Sequence, residues 1–319
     1  MNRYIYGPIY SRRLGFSLGI DPTPDKECSF ACVYCQIGRI VGKTAKRFNC
    51  VDLDRLSREI KKFFSDKPSI DYLTISGSGE PTLHKDLDKI IERIRHVTGR
   101  KIPLCLITNS SLLYRRDVRK EINSLDLMIP SLDAPNNDVF QKINYPSKNI
   151  SFNKLIEGLI RLGKEFKGKI WLEIMLIKGL NDKITFLPQF KKIIAQVDPD
   201  KVHINLPIRT AAGSKKGLMP KADTVNLFKQ EIGKICSVVV YKKCVDQKFG
   251  KRKNSEDLIV ASLKRRPQTI KELSAGLSLA AEPLTDVINN LLNENKIISK
   301  GKKGSCRYCV NAARPKNGR

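Results

Sequence analysis

From about residue 50 to residue 240, short apolar runs alternate with longer stretches whose apolar residues recur at helical spacing, a rhythm that few folds accept. It is the pattern of βα units on a parallel sheet. The strand candidates are Tyr72 to Gly77, Leu104 to Thr108, Leu127 to Leu132, Ile170 to Leu176 and Lys201 to Leu206, with an earlier strand over Phe16 to Ile20. Helices are expected near 52–65, 84–97, 136–143, 151–166, 183–196 and 221–233, some with cap signals such as Asp52 and Ser151. Six such units make a partial or complete barrel, so residues 1–240 read as an α/β domain with a partial (β/α)6 barrel.

A chain of 319 residues has room for about two domains. Residues 241–254 carry Lys242, Lys243, Lys248, Lys251, Arg252 and Lys253 with little apolar content, and read as a basic linker. Beyond it the spacing becomes helical over 255–266, 268–276 and 281–293, followed by Ile297-Ile298 and by Tyr308 and Val310 around Gly301 and Gly304. Three helices and a hairpin give the order of a winged helix-turn-helix, a small α+β domain over 255–319. The third helix buries Leu284, Val287, Ile288, Leu291 and Leu292. It exposes Glu282, Asp286 and Glu294, which would repel phosphates. The wing is basic, with Lys300, Lys302, Lys303 and Arg307, and suits a phosphate backbone without reading sequence.

Lys and Arg number 59 against 32 Asp and Glu, a net charge of +27 that points to a polyanionic partner, RNA among them. Residues 255–319 hold 12 basic and 6 acidic residues, so most of the excess lies on the larger domain. No apolar run reaches the roughly eighteen residues that a membrane span requires. Arg12-Arg13 resembles a twin-arginine signal, but Asp21, Pro22, Pro24 and Asp25 interrupt any apolar stretch behind it. The expectation is a cytoplasmic protein with no membrane partner, whose nine cysteines are thiols available to metals.

Cys28-Ser-Phe-Ala-Cys32-Val-Tyr-Cys35 follows the first strand, and three of nine cysteines within eight positions argue against chance. Thiolates so close can share one soft metal centre with one coordination position left open. A zinc site would recruit Cys50 or His84 as fourth ligand; three unrelated thiols are the plain alternative. Strand alternation puts Thr74, Ser76 and Ser78 on one face, then Ser131 with Asp133, Trp171 with Glu173 and Met175, and His203 with Asn205. Polar residues toward the carboxyl ends of parallel strands suit a ligand site there. Cys306 and Cys309 have knuckle spacing and could join Cys236 and Cys244 around a second metal, but the pairs fall in different domains, and they are read as ordinary thiols.

The cysteine spacing, with Tyr34 just before Cys35, resembles the radical S-adenosylmethionine (SAM) superfamily. The resemblance implies a 4Fe-4S cluster on Cys28, Cys32 and Cys35, with SAM chelating the fourth iron. Reductive cleavage of SAM would then yield a 5′-deoxyadenosyl radical that abstracts hydrogen from a substrate. It also implies an external electron donor such as flavodoxin or ferredoxin. Ser76-Gly77-Ser78-Gly79-Glu80-Pro81 resembles the family's Gly-Gly-Glu-Pro motif, which places Ser78, Gly79, Glu80 and Pro81 on the SAM amino group; Ser78 stands where a glycine is usual. Ser131 and Asp133 are assigned to the ribose region and Asn205 to the adenine side; Asn109, after the Cys105 strand, joins these strand-end residues, and Tyr34 is a further cofactor-binding candidate. The stretch from Tyr6 to Ile20, with Ser131-Leu-Asp133, resembles the branch related to wyosine-forming tRNA enzymes. Those enzymes carry extra cysteines upstream, whereas here none precedes Cys28. The expected function is thus a radical SAM enzyme, with RNA or tRNA as the favoured substrate. The competing readings are a redox-sensing iron-sulfur regulator that binds nucleic acid, and a zinc-stabilised structural protein.

Overall fold

The computed structural model describes residues 4–24, 26–37, 40, 42–65, 69–207, 217–239, 256, 259–260, 262–263, 267–277, 281–300 and 306–311. The chain divides into two compact units, Met1–Ile5 with Leu18–Val240, and Tyr6–Ser17 with Tyr241–Arg319. The expected linker 241–254, with Cys244, and the wing residues Lys302 and Lys303 lie outside the described residues.

The alternation becomes a mostly parallel sheet. Two strands come first, β1 (Ile5–Ser11) and β2 (Gly15–Ile20), then the short pair β3 (Glu27–Cys28) and β4 (Gly42–Lys43). Six strands follow: β5 (Tyr72–Ile75), β6 (Leu104–Thr108), β7 (Leu127–Pro130), β8 (Lys169–Met175), β9 (Lys201–Asn205) and β10 (Cys236–Val238). The main sheet runs β1-β2-β5-β6-β7-β8-β9-β10, and the strands from β5 to β10 pair in parallel. Sequential order with parallel pairing forces each connection to cross over, and helices fill those crossovers.

The helices are α1 (Leu53–Phe64), α2 (Leu87–Thr98), α3 (Arg116–Glu121), α4 (Asn137–Asn144), α5 (Phe152–Glu165), α6 (Leu187–Val197) and α7 (Ala222–Ile232). Asp52 caps α1 by accepting from the amides of Asp54 and Arg55 at 3.0 and 2.9 Å, and Ser151 caps α5 through the Lys154 amide. On α5, Leu155, Leu159 and Leu162 are buried at helical spacing. They join Leu172, Ile174, Val202, Ile204 and Phe190 in one core between helices and sheet. The other face of β8 and β9 carries Trp171, Glu173, His203 and Asn205.

Several expectations are corrected. The strand expected to reach Gly77 ends at Ile75, because the Ser78 amide bonds the Asp21 carboxylate at 3.0 Å instead of a neighbouring strand. The strand expected to reach Leu132 ends at Pro130, with Ser131 continuing only as an isolated bridge to Glu173. The alternation that put Ser78 on the Thr74 face therefore fails. β1 and the six-residue α3 were not expected. The helix near 84 begins at Leu87, because Pro81–Leu83 form a separate 3-10 turn.

In the second unit α8 (Ile270–Leu277), α9 (Ala281–Asn293), β11 (Ile297–Lys300) and β12 (Arg307–Val310) surround Ile259, Leu263, Leu273, Leu284, Ile288, Leu291 and Ile297. β11 and β12 are antiparallel. The helix expected from residue 268 begins at Ile270, since Gln268 exchanges both backbone bonds with Tyr308 at 2.9 and 2.8 Å. Thr269 and Glu272 then close a reciprocal capping box.

Gly163 on α5 lets α6 approach: a Cβ there would lie 2.0 Å from the Val197 carbonyl oxygen. Helix propensity alone would favour alanine by about 1 kcal/mol. The backbone clash outweighs that, and Gly163→Ala is expected to lose on the order of 1–3 kcal/mol, read as a lower urea midpoint at unchanged slope. A midpoint at or above wild type would contradict this packing.

Candidate functional site

The loop holding the three cysteines is built from backbone hydrogen bonds to three separate parts of the chain. The Glu80 amide donates to the Glu27 carbonyl at 3.0 Å, and the Thr44 amide to the Cys28 carbonyl at 3.0 Å. The amides of Ala31 and Val33 donate to the carbonyls of Asn144 and Ile143 at the end of α4, both at 2.9 Å, and the Ser147 amide to the Ser29 carbonyl at 2.8 Å. Those carbonyls are left over by the helix, and the loop satisfies them. Phe30 is fully buried and meets Phe140 of α4 edge-on, ring centroids 5.4 Å apart. Gly79 permits the approach on the other side, since a Cβ there would lie 1.7 Å from the Glu27 carbonyl oxygen.

Cys28, Cys32 and Cys35 are half-buried and form no disulfide. Two of them accept side-chain amides: Asn109 Nδ2 lies 3.5 Å from Cys28 Sγ, and Asn144 Nδ2 3.4 Å from Cys32 Sγ. Burial pushes the Cys28 thiol up to about 12, helped by the Glu80 charge and by Cys35, with the Phe30 and Asn109 hydrogen bonds opposing. Burial also raises Cys32, then the Asp133 charge and the other two cysteines. Cys28 and Cys32, thiols that resist ionisation on their own, suit a cationic centre that takes their protons' place. Amide donors aimed at sulfur are the surroundings an iron-sulfur cluster uses. The donor set therefore fits a cluster with one iron left for another ligand.

Of the two fourth ligands a zinc site would recruit, Cys50 and the Nδ1 of His84 are engaged elsewhere, while His84 Nε2 is buried without a hydrogen-bond partner among the described residues. Cys50 Sγ donates to the Pro22 carbonyl at 2.8 Å, and His84 Nδ1 accepts the Asp86 amide at 3.2 Å. Among the described residues no three His, Cys, Asp or Glu side chains are grouped to hold a single metal ion. Cys236 and Cys309 sit on β10 and β12, in different units, and Cys244 lies outside the described residues.

Glu80 caps the Pro81–Leu83 turn, and it is 2% exposed. Its Oε1 accepts from the Thr82 amide at 3.0 Å, Thr82 Oγ1 at 2.7 Å and Thr108 Oγ1 at 2.6 Å; Oε2 accepts the Asn109 amide at 2.7 Å. Burial raises this carboxyl and the four donors pull it back. With one protein donor against three, Oε2 is the oxygen with capacity for a ligand. Asn109 carries the chain onward, its Nδ2 reaching both Ser29 Oγ at 2.9 Å and Cys28. Ser78 turns the other way, its amide and hydroxyl both on Asp21 Oδ2 at 3.0 and 2.7 Å. Below the turn Arg47, 7% exposed, donates to the carbonyls of Thr82, His84 and Lys85 and pairs with Asp117 and Glu121.

A second chain of contacts joins Cys32, Tyr34 and Asp133. Tyr34 Oη donates to Asp133 Oδ2, which also accepts Asn144 Nδ2 at 3.1 Å, while Oδ1 accepts the Met175 amide at 3.0 Å. Burial pushes the Asp133 carboxyl up against these hydrogen bonds. Ser131 offers its carbonyl to Ser110 Oγ at 2.8 Å. Asn205 Nδ2 bonds Glu173 Oε1 at 3.2 Å on β8. The sequence reading assigns no site role to Asn144, Asp21 or Arg47. For Asn144 the only signal was Pro146 just past the helix end, which marks the terminus but not its contact.

A family model for the radical SAM superfamily matches residues 26–185, the span from the cysteine loop through β8. A UPF0026 protein of Methanocaldococcus jannaschii is 32% identical over 322 residues, covering 98% of each chain. A protein of Brachyspira hyodysenteriae named GTPase Obg is 35% identical over 309 residues, which cover 96% of this chain but only 45% of that one. Among solved structures, a radical SAM methyltransferase from Sphaerobacter thermophilus superposes with a TM-score of 0.53 at 19% identity, over 70% of this chain and 65% of that one, a likeness of fold. The chain is a radical SAM enzyme whose cofactors are a 4Fe-4S cluster and SAM, and it belongs to the radical SAM superfamily and to the UPF0026 proteins.

Proposed function

We propose that Cys28, Cys32 and Cys35 hold the cluster, that Glu80 with the backbone around Ser78, Gly79 and Pro81 receives the amino group of SAM, and that the substrate is RNA. The observation that carries the site is the convergence of two hydrogen-bonded chains on the cysteine loop, Glu80 to Asn109 to Cys28 and Asp133 to Asn144 to Cys32. When bound, cluster and SAM supply a one-electron cleavage that generates a 5′-deoxyadenosyl radical for hydrogen abstraction. Glu80 Oε2 orients an ammonium group through a charge-assisted hydrogen bond. By the family resemblance Ser131 and Asp133 would serve the ribose and Asn205 the adenine, and Tyr34 would be a further SAM-binding residue. An external donor such as flavodoxin or ferredoxin supplies the electron.

RNA is favoured by the net charge of +27. The C-terminal elements support a winged-helix domain whose basic wing grips phosphates, and the N-terminal stretch from Tyr6 to Ile20 supports kinship with wyosine-forming tRNA enzymes. A cytoplasmic location follows from the same reading. Among the described residues no helix is long and apolar enough to cross a membrane.

Three outcomes test this reading. Anaerobically reconstituted protein is expected to bind close to four irons, to change its reduced electron-paramagnetic-resonance signal when SAM is added, and to lose the signal in Cys32→Ala. Stoichiometric zinc without iron would contradict it. Glu80→Gln is expected to keep its iron and to bind SAM at least about tenfold more weakly, since a charge-assisted bond contributes on the order of 1.5–3 kcal/mol. Unchanged affinity in anaerobic equilibrium dialysis would remove Glu80 from the site. Binding of a tRNA-sized RNA, followed by fluorescence anisotropy, is expected to weaken with salt at a log-log slope of about −0.7 to −0.9 per phosphate contact. Lys302→Ala with Lys303→Ala should flatten that slope, and salt-insensitive binding would rule RNA out as the reason for the charge.

A further inference from the structure

We infer that Asn144 is a positioning residue of the cluster, its one side-chain amide interposed between the Cys32 sulfur and the Asp133 carboxylate so as to set the cluster's reduction potential. The inference rests on the reading that Cys28, Cys32 and Cys35 carry that cluster. Asn144 Nδ2 lies 3.4 Å from Cys32 Sγ and 3.1 Å from Asp133 Oδ2. A primary amide has two hydrogens diverging in one plane, so a single nitrogen can serve both acceptors. The residue is 3% exposed, which leaves little room for water to compete for either hydrogen.

The two acceptors are both negative once Cys32 is a metal thiolate, and the Asp133 charge already bears on Cys32. Without the amide they would face each other across a poorly solvated gap. A donor to a cluster sulfur favours the reduced state, which carries one more negative charge. Asn144 therefore raises the potential, and its loss lowers it. Asn109 is the lesser partner, since its amide lies 2.9 Å from Ser29 Oγ and 3.5 Å from Cys28 Sγ.

The side chain can be removed without removing the loop's anchor. Ala31 and Val33 are held by the backbone carbonyls of Asn144 and Ile143, and Tyr145 closes the helix in the left-handed region at φ 43°. Those features belong to the backbone and stay when residue 144 changes.

The test compares anaerobic wild-type holoenzyme with Asn144→Ala and Asn144→Ser by spectroelectrochemical titration, with iron content and far-ultraviolet circular dichroism on the same samples. Asn144→Ala should keep its iron and shift the reduction equilibrium about tenfold toward the oxidised state, which is 59 mV for one electron. Asn144→Ser, retaining one donor, should fall between that and wild type. Should the alanine variant alone lose iron, a lowered potential in the serine variant sustains the inference. Iron-loaded variants at the wild-type potential would overturn it, and so would loss of iron from both, which would make Asn144 scaffold. Wild-type protein that takes up no iron would overturn the cluster reading itself, before any variant is compared.

Discussion

The site depends on how a loop whose one ladder is the two-residue pairing of β3 with β4 is held in place. Between Glu27 and Cys35 the backbone bonds outward in three directions, to the Glu80 turn, to Thr44 and to the spent carbonyls of α4. A helix end and a strand-end turn both present unpaired backbone groups, and here each is satisfied by the loop that carries the thiols. The same bonds that close the fold therefore also fix the spacing of Cys28, Cys32 and Cys35.

Burying Glu80 illustrates the energetic balance. An isolated carboxylate taken out of water costs several kcal/mol. Four donors from Thr82, Thr108 and Asn109 offset that cost, and together they tie the end of β5 to the end of β6. Three of the four lie on Oε1, so the carboxylate is held in one orientation while Oε2 keeps acceptor capacity. Asp133 is arranged in the same manner, with Tyr34, Asn144 and the Met175 amide as its donors. Both carboxylates reach a cysteine through an asparagine, and so the Glu80 turn, the Asp133 strand end and the cysteine loop are mechanically joined.

Much of this was legible in the sequence where the signal is local. Leu104–Thr108 was read at its observed bounds and Lys201–Asn205 to within one residue, because apolar strands flanked by amphipathic helices leave a clear period. The cysteine run stands out by its spacing and Glu80 by its likeness to a family motif, and the structure brings the Glu80 turn against the cysteine loop. α3 was not, because Arg116–Glu121 offers Val118 as its only apolar residue and thus no period. β5 stops short of Gly77 because Asp21, 57 residues earlier, captures the Ser78 amide. Asn144 escaped notice for the same reason: its contact with Cys32 spans 112 residues and exists only once α4 has docked on the loop. Local chemistry could be read in advance, but long-range hydrogen bonds between loop ends could not.

If Cys28, Cys32 and Cys35 carry the cluster, the protein cleaves SAM when reduced. The most direct measurement is the formation of 5′-deoxyadenosine and methionine when anaerobically reconstituted protein is mixed with SAM and dithionite. SAM-dependent formation of both products is expected in wild-type protein and none in Cys32→Ala. Iron-loaded wild-type protein that binds SAM but yields neither product under reduction would contradict it.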